Sequence, residues 1–255
     1  MSKNFESLQQ AQISLGGSAS LPAAVVETEE KKKAEIATET EDLTIAGSAF
    51  RQESLKLVQR LFLLPGQTPP GAVLFAAIDS RNGCSHLCAI TAQLLADSVS
   101  GSVCLVEANF RTPSLPEMFG MENHHGLTDS LRQRGSIREF VKPAGRDNLW
   151  LLSSGSIRKD SLNLLNCDRM KERIAELRGE FDYLLIDAPP LNSYSDAMVF
   201  GRLADGVVLV LEANATRRET ALRVADSLRV ANIPLLGAVL NKRTFPIPAV
   251  LYKRL

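Results

Sequence analysis

From about residue 46 the chain alternates short, continuous apolar runs with stretches of helical period. Phe50, Leu55, Val58 and Phe62 recur at helical spacing within Ser48–Leu64, and Pro65-Gly66 stops that helix. Ala72–Ile78 is an apolar run with the length of a buried strand, and a helix follows over Ser85–Ala96. Ser102–Val106, Leu149–Leu152, Tyr183–Ile186, Gly206–Leu211 and Leu235–Leu240 read as further strands. Arg169–Leu177 reads as a helix with Lys171, Glu172 and Arg173 facing out, and Arg217–Ala231 as an amphipathic helix. This alternation calls for right-handed βαβ crossovers. It predicts an α/β fold, doubly wound, whose mostly parallel sheet is covered by helices on both faces.

Residues 1–45 break the pattern. They hold Gly16-Gly17, many polar residues, and a charge run from Glu27 through Lys31-Lys32-Lys33 to Asp42. A disordered tail or linker is expected there, or a short exposed helix in the Glu/Lys part, with the folded domain over 46–255. Composition narrows the function classes. Of 255 residues 45% are hydrophobic, which excludes wholesale disorder. The 29 Lys+Arg balance 29 Asp+Glu, so nucleic acid is not expected as a general partner. Aromatics are 5%, with Trp150 the single tryptophan, too few for base-stacking platforms. No run reaches the roughly 18–20 apolar residues that span a bilayer. The N-terminus lacks an apolar signal core, so the expected location is cytoplasmic. Cys84, Cys88, Cys104 and Cys167 are scattered, as suits reduced thiols.

In a doubly wound sheet, ligands sit beyond the carboxyl ends of the strands. The first such loop reads A-A-I-D-S-R-N-G-C-S-H-L-C. A phosphate loop needs G-x-x-x-x-G-K-[ST]: backbone N–H groups and the helix N-terminus cradle the anion, the Lys neutralises phosphate, and the hydroxyl holds Mg²⁺. Gly83 and Ser85 fit that pattern, but Cys84 stands in the Lys position and Ile78 in the first Gly position. Asp79 adds a negative charge, while Arg81 offers a replacement cation. An ordinary strand–turn–helix connection bending at Gly83 reads equally well. The missing Lys removes a charge-assisted contact of about 1.5–3 kcal/mol, one to two decades of affinity.

Other segments carry a resemblance. V-C-L-V-E-A-N-F-R-T-P-S-L (Val103–Leu115) resembles the strand and D-x-D-x-R segment of the bacterial tyrosine kinases (BY-kinases). Glu122–Leu131 resembles the stretch that ends in G-L-x-D-x-L, and F-D-Y-L-L-I-D-A-P-P (Phe181–Pro190) resembles the Walker B strand. Ser195-Asp196-Ala197, Ala204–Val207 and Gly237–Lys242 are similar to later landmarks. Glu53–Arg60 loosely resembles a ring-assembly helix.

The resemblance, over residues 48–255, implies a P-loop protein of the MinD and ParA class, acting in exopolysaccharide or capsule synthesis and export. It implies ATP and Mg²⁺ as ligands, held weakly, and a separate membrane-spanning co-polymerase or adaptor as partner at the inner face of the membrane. By the same resemblance Arg81, Asn82, Gly83, Cys84 and Ser85 would bind nucleotide, with Asn241 and Lys242 at the adenine. Ser85 and Asp187 would hold the metal. Asp187, Glu107 and Asn109 would be the catalytic acids in degenerate form. Glu53, Lys56 and Arg60 would meet a second subunit of a homo-oligomer, or else form a solvated helix face. Tyr252 would be the phospho-acceptor.

The departures fall on the chemistry. The Lys is Cys84, the paired Asp are Glu107 and Asn109, and the clustered C-terminal tyrosines shrink to Tyr252. In-line phosphoryl transfer depends on positioning and charge neutralisation, so kinase activity is expected to be residual or absent, a pseudokinase. The alternatives are an active autokinase in which Arg81 replaces the Lys, and a MinD/ParA-like positioning switch. Cys84, His86 and Cys88 lack a fourth ligand nearby, so neither zinc nor haem is expected. Cys84 is expected to be an inert small side chain in a tight loop; a depressed, redox-sensitive thiol at the helix N-terminus is the alternative. His124-His125 read as loop or cap residues.

Overall fold

The structure is a computed structural model that describes residues 49–157 and 168–243. The chain divides into the units Met1–Phe50 and Arg51–Leu255, and the fold below belongs to the second. The sequence reading of residues 1–45 and of Tyr252 lies outside the described residues.

After α1 (residues 49–62) the elements run β1 (Ala72–Ala77), α2 (Cys84–Ser98), β2 (Val103–Glu107), α3 (Leu115–Met118), α4 (Leu127–Arg132), a 3₁₀ turn (Ile137–Phe140), β3 (Lys142–Arg146) and β4 (Leu149–Leu152). Then come α5 (Asp168–Glu180), β5 (Tyr183–Ala188), α6 (Asp196–Gly201), β6 (Gly206–Glu212), α7 (Arg218–Val230) and β7 (Leu235–Asn241). Seven strands form one sheet in the order β3-β4-β2-β5-β1-β6-β7. All neighbours are parallel except β3, which runs antiparallel to β4 with a register shift between Pro143 and Arg146.

The central strands are apolar on both faces because both are covered. Every residue of β1 is buried. One face packs on α2, which touches β1, β2 and β5. The other carries Leu74, Ala76, Val106 and Ile186 into a core with Ile174 and Leu177 of α5 and Phe200 of α6. Phe62 of α1 meets Tyr183 edge-on, centroids 5.7 Å apart. At the sheet's border β7 is half exposed, alternating with period two.

One side chain reverses its expected orientation. Arg173 does not face out but is fully buried. Its guanidinium donates to the carbonyls of Ser130 (2.9 and 3.1 Å), Gln133 (3.0 Å) and Gly135 (2.8 Å) and pairs with Glu176 at 2.6 Å. It closes the carboxyl end of α4, whose carbonyls would otherwise be orphaned against α5. A second tight region joins α4 to the loop after β4. Asp129 accepts from the N–H groups of Gly126 (3.1 Å) and Ser156 (2.9 Å), and Thr128 donates to the Ser154 carbonyl at 2.8 Å. A Cβ on Gly126 would collide with the Ser153 carbonyl oxygen and the Gly155 nitrogen.

Candidate phosphate-loop site

The order β2-β5-β1-β6-β7 brings five strand ends to one rim. There the loops after β1, β2, β5, β6 and β7 meet. The loop leaving β1 turns through Arg81 (φ 65°) and Gly83 (φ 76°) into α2. Gly83 is required twice: its φ is left-handed, and a Cβ would run into the amide nitrogen of Asn241. No side chain caps the start of α2, so the rim presents an N-terminus with the polarity that receives anions.

Two acids lie beneath this loop. Glu107 ends β2 and Asp187 lies in β5; they are register partners, and both are buried. Glu107 is engaged by backbone: Oε2 accepts from Ser114 N–H (2.8 Å) and Leu115 N–H (2.9 Å), and Oε1 from Asn109 N–H (3.2 Å). Among the described residues, neither Asp187 oxygen has a donor in hydrogen-bonding geometry. Burial pushes the Asp187 carboxyl up, against a smaller pull down from the adjacent Ser85 hydroxyl and Cys84 thiol. Burial, then the Asp187 charge, raises Glu107 despite its three N–H partners.

Cys84 points inward. Its thiol is pushed well above the usual cysteine range by burial first, then by the Asp187 charge. Of the two readings of Cys84 this favours the inert side chain: dehydration and a facing carboxylate outweigh the helix N-terminus. The structure therefore sets a neutral sulfur against Asp187 where the phosphate-loop pattern calls for an ammonium.

Side chains from β6 and β7 complete the loop. Asn241 donates to the Asn82 carbonyl at 2.8 Å, and Lys242 donates to the Arg81 carbonyl at 2.6 Å. Asn82, with its amide nitrogen turned to its acceptors, has the carbonyls of Asp79 and Ser80 (each 3.2 Å) and Glu212 Oε2 (3.1 Å) within donor reach, three acceptors for two amide hydrogens. Glu212 Oε1 also lies 3.4 Å from Lys242 Nζ. Asn241 and Lys242 thus hold the loop's backbone. Arg81 is exposed on the rim.

Asn192 of the loop after β5 donates to Asp79 at 3.1 Å. Arg111 pairs with Asp196 at 3.0 Å and lies 3.8 Å above the Tyr194 ring, tying the β2 loop to the β5 loop. Asn109 accepts the N–H groups of Arg111 and Thr112, each at 3.3 Å, and so shapes its own turn. Away from the rim, Glu53 pairs with Lys56 at 2.6 Å on the exposed side of α1, where Arg60 is also exposed. His124 and His125 lie on the loop before α4. Glu212 ends β6 and Asn192 follows β5; sequence reasoning gave neither a role. The polar types at those positions were the available signal.

Asp187 offers two buried carboxylate oxygens, without donors among the described residues, beside the Ser85 hydroxyl, oxygen ligands of the kind Mg²⁺ takes. Those two residues fit the cation. Cys84, a soft and protonated ligand, does not.

No protein-family model matches the chain. It is 34% identical over 139 residues to the tyrosine-protein kinase YwqD of Bacillus subtilis, a match covering 54% of this chain and 59% of that protein. Over 182 residues it is 26% identical to the tyrosine-protein kinase Etk of Escherichia coli, covering 71% of this chain and 23% of Etk. Over 163 residues it is 32% identical to the succinoglycan biosynthesis transport protein ExoP of Rhizobium meliloti, covering 63% and 21%. The match thus spans little more than half of YwqD and under a quarter of Etk and ExoP. The VpsO kinase domain superposes with TM-score 0.70 at 22% identity, covering 80% of this chain and 98% of that domain. MinD of Pyrococcus horikoshii, solved with Mg-ADP, superposes with TM-score 0.58 at 19% identity, covering 71% and 76%. In sequence the chain is therefore similar to bacterial tyrosine-protein kinases over part of its length, and its fold is the mostly parallel α/β fold of the VpsO kinase domain and of MinD.

Proposed function

We propose that this chain is a BY-kinase-like regulatory module of exopolysaccharide or capsule synthesis and export, a pseudokinase in which phosphoryl transfer is weak or absent. One observation carries the reading: the residue in the Lys position is Cys84, whose buried, protonated thiol faces Asp187. Backbone N–H groups at the start of α2 would receive phosphates, and Ser85 and Asp187 would hold Mg²⁺. No ammonium at position 84 neutralises the charge that moves to the leaving group. Glu107, in the place of a family Asp, is spent on three backbone N–H groups. Asn109 brings no carboxylate.

Such a module acts through binding. A relative named as a succinoglycan biosynthesis transport protein supports a membrane-spanning co-polymerase or adaptor as the partner. No helix among the described residues is long and apolar enough to cross a membrane. Under this reading the chain works in the cytoplasm at the inner face of the membrane. Glu53, Lys56 and Arg60 form the contact of a homo-oligomer, and Tyr252 is an acceptor only in the active-kinase alternative. The second reading, an active autokinase, rests on Arg81, which is exposed on the loop and able to fold over a phosphate.

Nucleotide titration with and without Mg²⁺, beside an autophosphorylation assay, separates the two. The proposed reading expects no saturable ATP binding in the micromolar range, about −8 kcal/mol, and no tyrosine label. It also expects Cys84→Lys to raise nucleotide affinity about 10- to 100-fold. Micromolar ATP binding by the unaltered chain, lost in Asp187→Ala, with label on Tyr252, overturns it.

A further inference from the structure

The loop after β1 has an unusual hydrogen-bond economy. Four successive carbonyls, of Asp79, Ser80, Arg81 and Asn82, each lie within hydrogen-bond distance of a side-chain donor. The donors are Asn82 itself, Lys242 and Asn241. Glu212 has one oxygen 3.1 Å from the Asn82 amide nitrogen and the other 3.4 Å from the Lys242 ammonium. Turning four carbonyls onto protein donors leaves the N–H groups of the same turn and of the α2 start to shape the cradle.

The most demanding member of this set is the pair Arg81 and Lys242. Both hold left-handed backbones, φ 65° and 54°, which an L side chain disfavours sterically. Strained residues of this kind persist only where the surroundings over-determine them. Here the two are joined: Lys242 Nζ reaches the Arg81 carbonyl at 2.6 Å, and Glu212 faces the ammonium from β6.

We propose that Lys242 is a positioning residue, a latch just beyond β7 that holds the Arg81 carbonyl and fixes the 79–82 loop in its cradle shape with no ligand bound. In a chain whose loop lacks its own lysine, a lysine just past the end of another strand sets the loop instead. The loop then offers one fixed surface whether or not a nucleotide is present. This goes beyond the weak-transfer reading and does not rest on it.

Limited trypsin digestion of the full chain tests the latch directly. Arg81 is exposed, so the Arg81–Asn82 bond is a sequence-competent target, and the protease must attack the very carbonyl that Lys242 holds. Cleavage there reports local opening of the loop. Lys242→Met, which keeps the aliphatic stem and removes the amine, should speed cutting at this bond about tenfold. The bonds after Arg146 and Arg223 and the urea unfolding midpoint should stay as in the unaltered chain. Lys242→Arg, which keeps a donor, should return the rate to within about threefold of the unaltered chain. Glu212→Gln removes the charge that faces Lys242 and should raise the rate in the same direction by a smaller factor. An unchanged rate in Lys242→Met, equal acceleration at all three bonds, or failure of Lys242→Arg to restore protection overturns the proposal. No nucleotide enters the assay, so its failure leaves the phosphoryl-transfer reading untouched.

Discussion

Glu107 and Asp187 sit side by side across the β2–β5 pairing, two buried carboxyl groups at the same level of adjoining parallel strands. Burial raises both above the ordinary carboxylate range of about 4. The folded chain therefore keeps protons that the unfolded chain gives up between that range and neutrality. With more protons bound to the native state, stability is fully present below the unfolded values and is lost as pH rises through the folded ones. Urea midpoints measured from pH 5 to pH 8 should fall, and Asp187→Asn should flatten the decline. An equal slope in the variant would refute the assignment.

The three N–H groups on Glu107 make a stability prediction separate from chemistry. Glu107→Ala strands the N–H groups of Asn109, Ser114 and Leu115 and should cost about 2–4 kcal/mol in chemical denaturation. Glu107→Gln keeps an acceptor and should cost about 1 kcal/mol. Equal losses would mean that packing, not acceptance, is the role of this side chain.

Gly126 has an extended backbone, so its requirement is space rather than dihedral freedom. Gly126→Ala should lower stability by about 2–3 kcal/mol, because the added methyl meets a carbonyl and a backbone nitrogen that cannot both retreat. Gly237→Ala, where nothing lies within 4 Å, is the control and should change stability by no more than about 0.5 kcal/mol. Thermal unfolding of the two variants checks the contrast.

Cys84, Cys88 and Cys104 are buried free thiols, each pushed upward chiefly by burial. Iodoacetamide at pH 8 should label them slowly in the native chain and promptly in urea. Fast native alkylation of Cys84 alone would show a reactive thiolate and contradict the geometry.

Continuous apolar runs announced the buried strands well: Leu149–Leu152 is read from the sequence with the bounds it has in the structure. The six expected strands differ from the observed ones by at most two residues at an end, as at Tyr183–Ala188. What escaped were elements made by tertiary contact. Lys142–Arg146 contains Pro143 and Gly145, lacks periodicity, and is a strand only because β4 lies beside it. Leu127–Arg132 is too short for a period to stand out. Arg173 looked like a solvated cation because nothing in sequence shows that its fork meets three carbonyls from residues 38 to 43 positions away. At the rim, the missing ammonium at Cys84 was legible as a residue type. The direction of its thiol, and the use of Lys242 on the Arg81 carbonyl, depend on strands that only the folded sheet brings together.

The antiparallel border strand has a consequence for assembly. Pro143 brings no N–H to the outer edge, the shifted register bends the ladder, and Arg146 is drawn back to Asp97 of α2 at 2.5 Å. With Lys142 exposed beside them, these features deny a foreign strand any continuous row to zip onto, so stacking of copies by sheet extension stops at this flank.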